Sequence, residues 1–239
     1  MGRAGRPPQD PARRLERAHR ILDAATELIL KWGYDKTTID DVAQRAGVAK
    51  GTIYLHWKTR DELFTALLRR ERVHTVAELR EREPECGFTT PGELFGRFAL
   101  TLLGRPLMRA MLRGDSEVLG KLARRKRESG PQLPLGGPLD AYVEELAAIG
   151  AVHGEPRDQV IVISSIVYGF LFLPDVRPED AKLPDERIAE LVATTIDRAL
   201  GIGEPLPPGG EQVVALATRR LLDGMAEAAQ RKLALSLEA

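Results

Sequence analysis

The 239-residue chain is poor in the residues that carry covalent chemistry. It has a single cysteine, Cys86, so no internal disulfide can form and the fold must rest on its apolar core, as in proteins of reducing compartments. Glu83 and Glu85 lie near Cys86 in sequence and disfavour its thiolate, which argues against a redox role. The four histidines, His19, His56, His74 and His153, have no metal-ligand spacing with one another or with Cys86. The chain has neither a glycine-rich phosphate loop nor a Gly-x-Ser-x-Gly elbow. No enzyme class, metal or cofactor is therefore expected. Long apolar runs are also lacking. The longest, Val160 to Leu173, is interrupted by Ser164, Ser165, Tyr168 and Gly169 and falls short of the roughly 20 residues of a membrane span. Arg3 and Arg6 near the start are followed by no apolar stretch of the secretory type. A cytoplasmic location without a membrane partner is expected.

Net charge is zero, but the balance is uneven. Residues 1–72 hold 15 Lys and Arg against 10 Asp and Glu, and the remainder 20 against 25. A basic front and an acidic rear suit a protein whose front meets a polyanion.

What the chain has in abundance is helical patterning. Residues 1–14 are rich in Gly, Pro and Arg and are expected to form a flexible arm. Ala18, Ile21, Leu22, Ala25, Leu28, Ile29 and Trp32 then form one apolar stripe, with Gly33 as its stop. Thr38 with Asp41, Thr59 with Glu62, and Thr90 with Glu93 read as three capping boxes, the first with Asp in place of Glu. Pro91 takes the favoured first helical position. Val160 to Val167 is β-branched enough for a buried strand, but a lone strand among helices has no partner, so it reads as a buried helix. Arg124 to Arg127 reads as the exposed last turn of a helix ahead of Gly130. The expected fold is all-α: a three-helix head over 15–62, a larger helical domain over 63–203 entered by a long helix, and a Pro/Gly linker with a separable amphipathic helix over 204–239.

The head contains the order of a helix-turn-helix. Thr38 to Ala46 is a support helix, Gly47 the turn, and Lys50 to Trp57 a short second helix. Such a second helix presents its N-terminal residues to base edges in the major groove. Lys50 suits a guanine or a phosphate, Gly51 permits close backbone approach, and Thr52 suits a base edge or a thymine methyl. Tyr54, His56, Lys58 and Arg60 are donors suited to phosphate oxygens, while Ile53 and Trp57, four apart, face inward.

The run from Thr37 to Leu63, with Ala46-Gly47-Val48, Lys50-Gly51-Thr52-Ile53-Tyr54 and Trp57 followed by Arg60-Asp61-Glu62-Leu63, resembles the signature of the TetR family. The first helix, ending Leu30-Lys31-Trp32-Gly33-Tyr34, is similar too. The resemblance covers about the first quarter of the chain. It implies a homodimeric regulator, usually a repressor, on near-palindromic double-stranded DNA in the bacterial nucleoid, released by a small apolar or amphipathic effector. The family's contact positions fall on Thr38, Lys50, Gly51, Thr52, Tyr54, His56 and Arg60, with Arg13, Arg14 and Arg17 as arm contacts. Three positions depart from the family pattern. Ala49 stands where Ser is usual, Trp57 where Phe is usual, and Leu55 where an aromatic is frequent.

The rear domain offers weaker signals. Ile188, Leu191, Val192, Thr195, Ile196 and Ala199 form a stripe that the resemblance assigns, with the Val160–Leu173 helix, to a four-helix dimer interface; the alternative is intrachain core. An effector pocket is expected among the helices of Thr90 to Leu173, with Phe98, Leu102, Met111, Tyr142, Ser165, Tyr168 and Phe172 as its lining. A DNA-binding regulator without an effector, whose rear domain serves only dimerisation or a protein partner, remains an alternative. An enzyme that acquired a helix-turn-helix is a third, without supporting residues.

Overall fold

A computed structural model describes residues 10–83, 87–113, 116–119, 136–172, 183–202 and 209–238. Every regular element among them is a helix. Cys86 and Arg124 to Arg127 lie outside the described residues.

Helix α1 spans Pro11–Trp32. The Asp10 carboxylate accepts the Ala12 N–H at 3.0 Å, and Pro11 occupies the first helical position, so the helix begins within the expected arm of residues 1–14. Six residues of its predicted stripe are buried, from Ala18 to Ile29. Trp32 is not. It closes the helix at 42% exposure, with the Lys31 ammonium 5.7 Å from its ring centre. Helix α2, Ile39–Ala46, starts from a complete Thr38–Asp41 box and ends at Gly47, whose φ of 65° is a conformation that favours glycine. Helix α3 is Lys50–Tyr54, shorter than predicted, and Ala49 gives it no side-chain cap. Helix α4, Arg60–Glu81, is one long element joining head to rear. Its box is only half formed. Thr59 accepts from Glu62 N–H, but the Glu62 carboxylate accepts from Lys58 N–H at 2.8 Å.

The rear comprises α5 (Pro91–Leu103), α6 (Pro106–Arg113), α7 (Ser116–Leu119), α8 (Gly136–Ala148), α9 (Pro156–Phe172), α10 (Asp185–Ala199) and α11 (Gly210–Glu238). The β-branched run is helical, within α9. The most extensive helix pairing is α5 on α10. Gly92 and Gly96, one turn apart, let α5 approach the Ala189–Ala193 face of α10. A methyl on Gly96 would lie 2.9 Å from the Ala189 carbonyl oxygen. The Asp197 carboxylate of α10 accepts from Gly92 N–H at 2.7 Å and Thr90 Oγ1 at 2.9 Å, capping α5 from outside its own chain segment. Three residues of the expected dimer stripe lie in the intrachain core: Ile188, Val192 and Ile196 are at most 3% exposed, next to the Ala189, Ala193 and Asp197 row that meets Gly92 and Gly96. Leu191 and Thr195 are partly exposed and Ala199 is exposed.

Helix α4 is bonded on three sides. The buried Arg70 guanidinium donates to the Asp23 carboxylate at 2.7 Å and to the His19 carbonyl at 3.1 Å, tying it to α1. Arg105, at the α5–α6 turn, bridges Glu71 at 3.3 Å and Glu78 at 2.8 Å. On the third side α11 packs along α4, and also against α8. The C-terminal segment is therefore a docked helix, not a separable one. Among the described residues, no helix is long and apolar enough to cross a membrane.

Candidate nucleic-acid interface

The head is a small core with one polar face. Ile53 and Trp57 are buried at 0% and 1% exposure, and α3 packs against α2. On the other side of α3, Lys50 and Gly51 are exposed, Thr52 is half-buried, and Tyr54 is 40% exposed. No heavy atom of the protein lies within 4 Å of where a Gly51 side chain would begin, so this glycine leaves open surface rather than relieving an internal clash. Thr38 is exposed beside them on the N-terminus of α2, its hydroxyl donating to the Asp41 carboxylate at 2.6 Å and accepting from Asp41 N–H at 3.2 Å. Those bonds hold the Asp41 carboxyl below its usual range. Of the seven expected contact residues, Thr38, Lys50, Gly51 and Tyr54 are thus exposed and Thr52 is half-buried.

Lys50 carries a partner that sequence did not reveal. Its ammonium lies 2.7 Å from the Asp40 carboxylate, which raises the Lys50 pKa above its ordinary value. Ten residues separate the pair, and no periodic pattern connects them.

His56 departs from the expected set. It is 2% exposed, its ring centre 5.3 Å from that of Trp57. The reason is local. Helix α3 stops at Tyr54, and the N–H groups of both His56 and Trp57 donate to the Ile53 carbonyl at 2.9 Å. This tight turn brings both rings inward and leaves Leu55 outside at 53% exposure. Burial lowers the His56 pKa, and Arg14 and Arg17 lower it further. The buried ring therefore does not lie on the surface where a phosphate contact was expected.

Arg60 also departs. Its guanidinium lies 3.9 Å from the Tyr34 ring centre and donates to the Tyr34 carbonyl. The Tyr34 hydroxyl donates to Asp61, its ring packs edge-on against Phe64 at 4.7 Å, and its N–H donates to the Val118 carbonyl of α7 at 2.7 Å. Arg60 is thus engaged in joining the α1–α2 turn to the start of α4. Arg13 is exposed on the first turn of α1, while Arg14 and Arg17 are half-buried.

In the rear, Phe98, Leu102, Met111 and Tyr142 are buried together in the core. The Tyr142 hydroxyl accepts from Thr218 Oγ1 of α11 at 3.4 Å, and burial drives its pKa far above the ordinary value. Ser165 is on the exposed side of α9 and Tyr168 is half-buried, so the structure does not bring the expected polar pair to the interior. The Phe172 side chain lies outside the described residues.

Comparison with known proteins points the same way. Residues 21–67 match the family described as bacterial regulatory proteins, tetR family. The fatty acid metabolism regulator protein of Bacillus subtilis is 34% identical over 61 residues, 26% of this chain and 31% of that protein. The A-factor receptor protein of Streptomyces griseus is 28% identical over 187 residues, 75% of this chain and 62% of that protein. The chain thus spans about a third of the length of the relatives it matches mainly at the head. Among solved structures, the fatty acid degradation regulator FadR from Bacillus halodurans superposes with a TM-score of 0.54 at 20% identity, over 81% of this chain and 96% of that one. A transcriptional regulator from Rhodococcus sp. Rha1 superposes with a TM-score of 0.50 at 19% identity, over 80% and 99%. These two likenesses concern the fold. The family match thus covers the head, residues 21–67, which resembles the tetR family of bacterial regulatory proteins, and the likeness of the helical rear to these solved structures is one of fold.

Proposed function

We propose that the protein is a homodimeric transcriptional regulator that lays α3 into the major groove of a near-palindromic operator and is released by a small apolar or amphipathic effector. The observation that carries the DNA reading is the exposure of Thr38, Lys50, Gly51 and Tyr54, with Thr52 half-buried among them, around the buried Ile53 and Trp57. Lys50 and Thr52 take the base edges; Tyr54 and Thr38 take phosphates. Arg13 adds charge beside them. Dimerisation is assigned to the sides of α9 and α10 that the intrachain core leaves uncovered: Ile161, at 59% exposure, and Ser165 on α9, and Leu191, Thr195 and Ala199 on α10. The effector reading draws support from the A-factor receptor, whose similarity extends into the rear domain.

Selection of bound duplexes from a random pool tests the proposal. A palindromic consensus is expected, with affinity falling steeply as salt rises. Thr52→Ala is expected to change the selected sequence. Tyr54→Phe is expected to weaken every duplex alike. A pool with no enriched sequence would refute the DNA reading, and a monomer in sedimentation at operator-binding concentrations would refute the dimer.

A further inference from the structure

The C-terminal helix α11 touches both ends of the molecule. Near its start it is bonded into the rear domain. Arg220 pairs with Glu145 of α8 at 2.9 Å, Arg219 pairs with Glu83 at 3.0 Å, and Thr218 meets the buried Tyr142. Midway, Asp223 pairs with Arg80 of α4 at 2.8 Å. Its last turns reach the reading head. Arg69 of α4 donates to the Lys232 carbonyl at 3.1 Å and to Ser236 Oγ at 2.6 Å. The Trp57 indole N–H donates to the Ser236 carbonyl at 2.8 Å.

That final bond is placed where it matters. Both residues are buried, Trp57 at 1% and Ser236 at 7% exposure. The Trp57 indole N–H is the head's donor to this carbonyl in the last described turns of α11. Phenylalanine, usual at this position in the family, fills the same hole and donates nothing. Trp57 also anchors the turn that ends α3, through its N–H on Ile53. Its ring therefore fixes where the recognition helix sits, and its indole is fixed by α11. From Thr218 to Ser236 the helix spans about 27 Å at 1.5 Å per residue, a stiff rod rather than a loop.

We infer that α11 is part of the DNA-reading apparatus, and that Trp57 is the positioning residue through which its last turn sets the orientation of α3. Trp57 touches no base in this assignment; it acts through Lys50, Gly51 and Thr52. A helix anchored beside Tyr142 then governs how well α3 matches a groove, so a shift in the rear domain arrives at the head along α11 as well as α4. The inference rests on the DNA-binding reading above.

The chain has two tryptophans, so Trp32→Phe leaves Trp57 as the only indole reporter in the full-length protein. In that background Trp57 is expected to emit at short wavelength, as a buried ring does. Leu233→Glu places a charge at a buried position of α11 between the two residues bonded by Arg69. It is expected to shift Trp57 emission to the red with helical content kept, and to lower affinity for the selected operator about tenfold. Trp57→Phe, in the chain with Trp32 intact, removes the N–H alone and is expected to lower it about three- to tenfold, the range of one hydrogen bond. In both variants the loss is expected for the operator and not for random duplex of equal length. A merely structural role lowers the unfolding midpoint but leaves the ratio of operator to random affinity unchanged, and that result in both variants overturns the inference. Unchanged Trp57 emission in Leu233→Glu likewise overturns the docking of α11 on Trp57. A wild type that selects no duplex instead overturns the DNA-binding reading; the emission measurement, made without DNA, tells the two failures apart.

Discussion

The two halves of the molecule hold themselves together in opposite ways. The head is closed by large side chains that plug it from different elements: Trp57 after α3, Tyr34 after α1 and Phe64 in α4, with the Arg60 guanidinium laid over Tyr34. The rear is closed at its tightest seam by side chains that are missing. Gly92 and Gly96 bring the α5 backbone against α10, and Asp197 reaches across to donors at the α5 N-terminus. A plug can be trimmed and its neighbours relax part of the way. A backbone-to-backbone seam has nowhere to go when a side chain is added. The difference teaches where each half is brittle, and the substitutions below test it.

The largest effect is expected at the seam. In Gly92→Val the new side chain falls on the Ala193 carbonyl and the Asp197 carboxylate, displacing the external cap of α5. A loss of about 3 kcal/mol is expected in urea unfolding, from overpacking and a broken cap together. A variant within about 1 kcal/mol of wild type would show that α5 and α10 are not so close. In the head, Phe64→Leu trims a plug beside Tyr34 and is expected to cost about 1–1.5 kcal/mol. If it costs as much as Gly92→Val, the contrast between the halves disappears.

Acid sharpens the comparison from another side. Burial lowers the pKa of His56, with Arg14 and Arg17 adding to it; burial and then Arg70 lower that of His19. Both histidines belong to the head. A folded-state pKa below the unfolded value near 6.5 means the unfolded chain binds the proton more readily. The contribution is fully present above pH 6.5 and falls away as pH drops below it. The wild type is expected to lose stability between pH 7.5 and 5.5, and His56→Phe to lose less of it. Equal losses in the two proteins would place the sensitive groups elsewhere.

How much could be read from the chain follows the range of each contact. The Thr38–Asp41 cap, the Gly47 turn and the Ile53–Trp57 spacing lie within a few residues, so the head was legible. The same closeness fails at one point. The turn that carries His56 inward depends on α3 stopping at Tyr54, and helix ends are set by hydrogen bonds that spacing does not reveal. In the rear, the Ile188–Ile196 stripe correctly marks a buried face but not what buries it; Gly92 and Gly96 were the signal for α5, four residues apart on a helix with Ala189 and Ala193 opposite. Helix α9 is apolar around much of its circumference, so no stripe told Ser165 from its inward neighbours. Trp57 and Ser236 are 179 residues apart, beyond any local pattern.

The smallest expected effect has the opposite sign. Ala49 has the extended backbone of an N-cap, with φ of −70° and ψ of 145°, but no side-chain acceptor. Ser at this position restores one. The gain from a cap is typically about 0.5–2 kcal/mol. Here it belongs at the low end, because the Thr52 N–H already donates to the Ala49 carbonyl at 2.8 Å, and Lys50 and Gly51 are exposed to water that can satisfy theirs. Ala49→Ser is therefore expected to raise head stability by about 0.5 kcal/mol in urea unfolding. It touches neither the α5–α10 seam nor the face of Lys50 and Thr52. If α3 is already held by Trp57 and α11, operator affinity should change less than twofold. A severalfold gain in affinity would mean that α3 settles only on DNA, and that the plug holds the end of the helix but not its beginning.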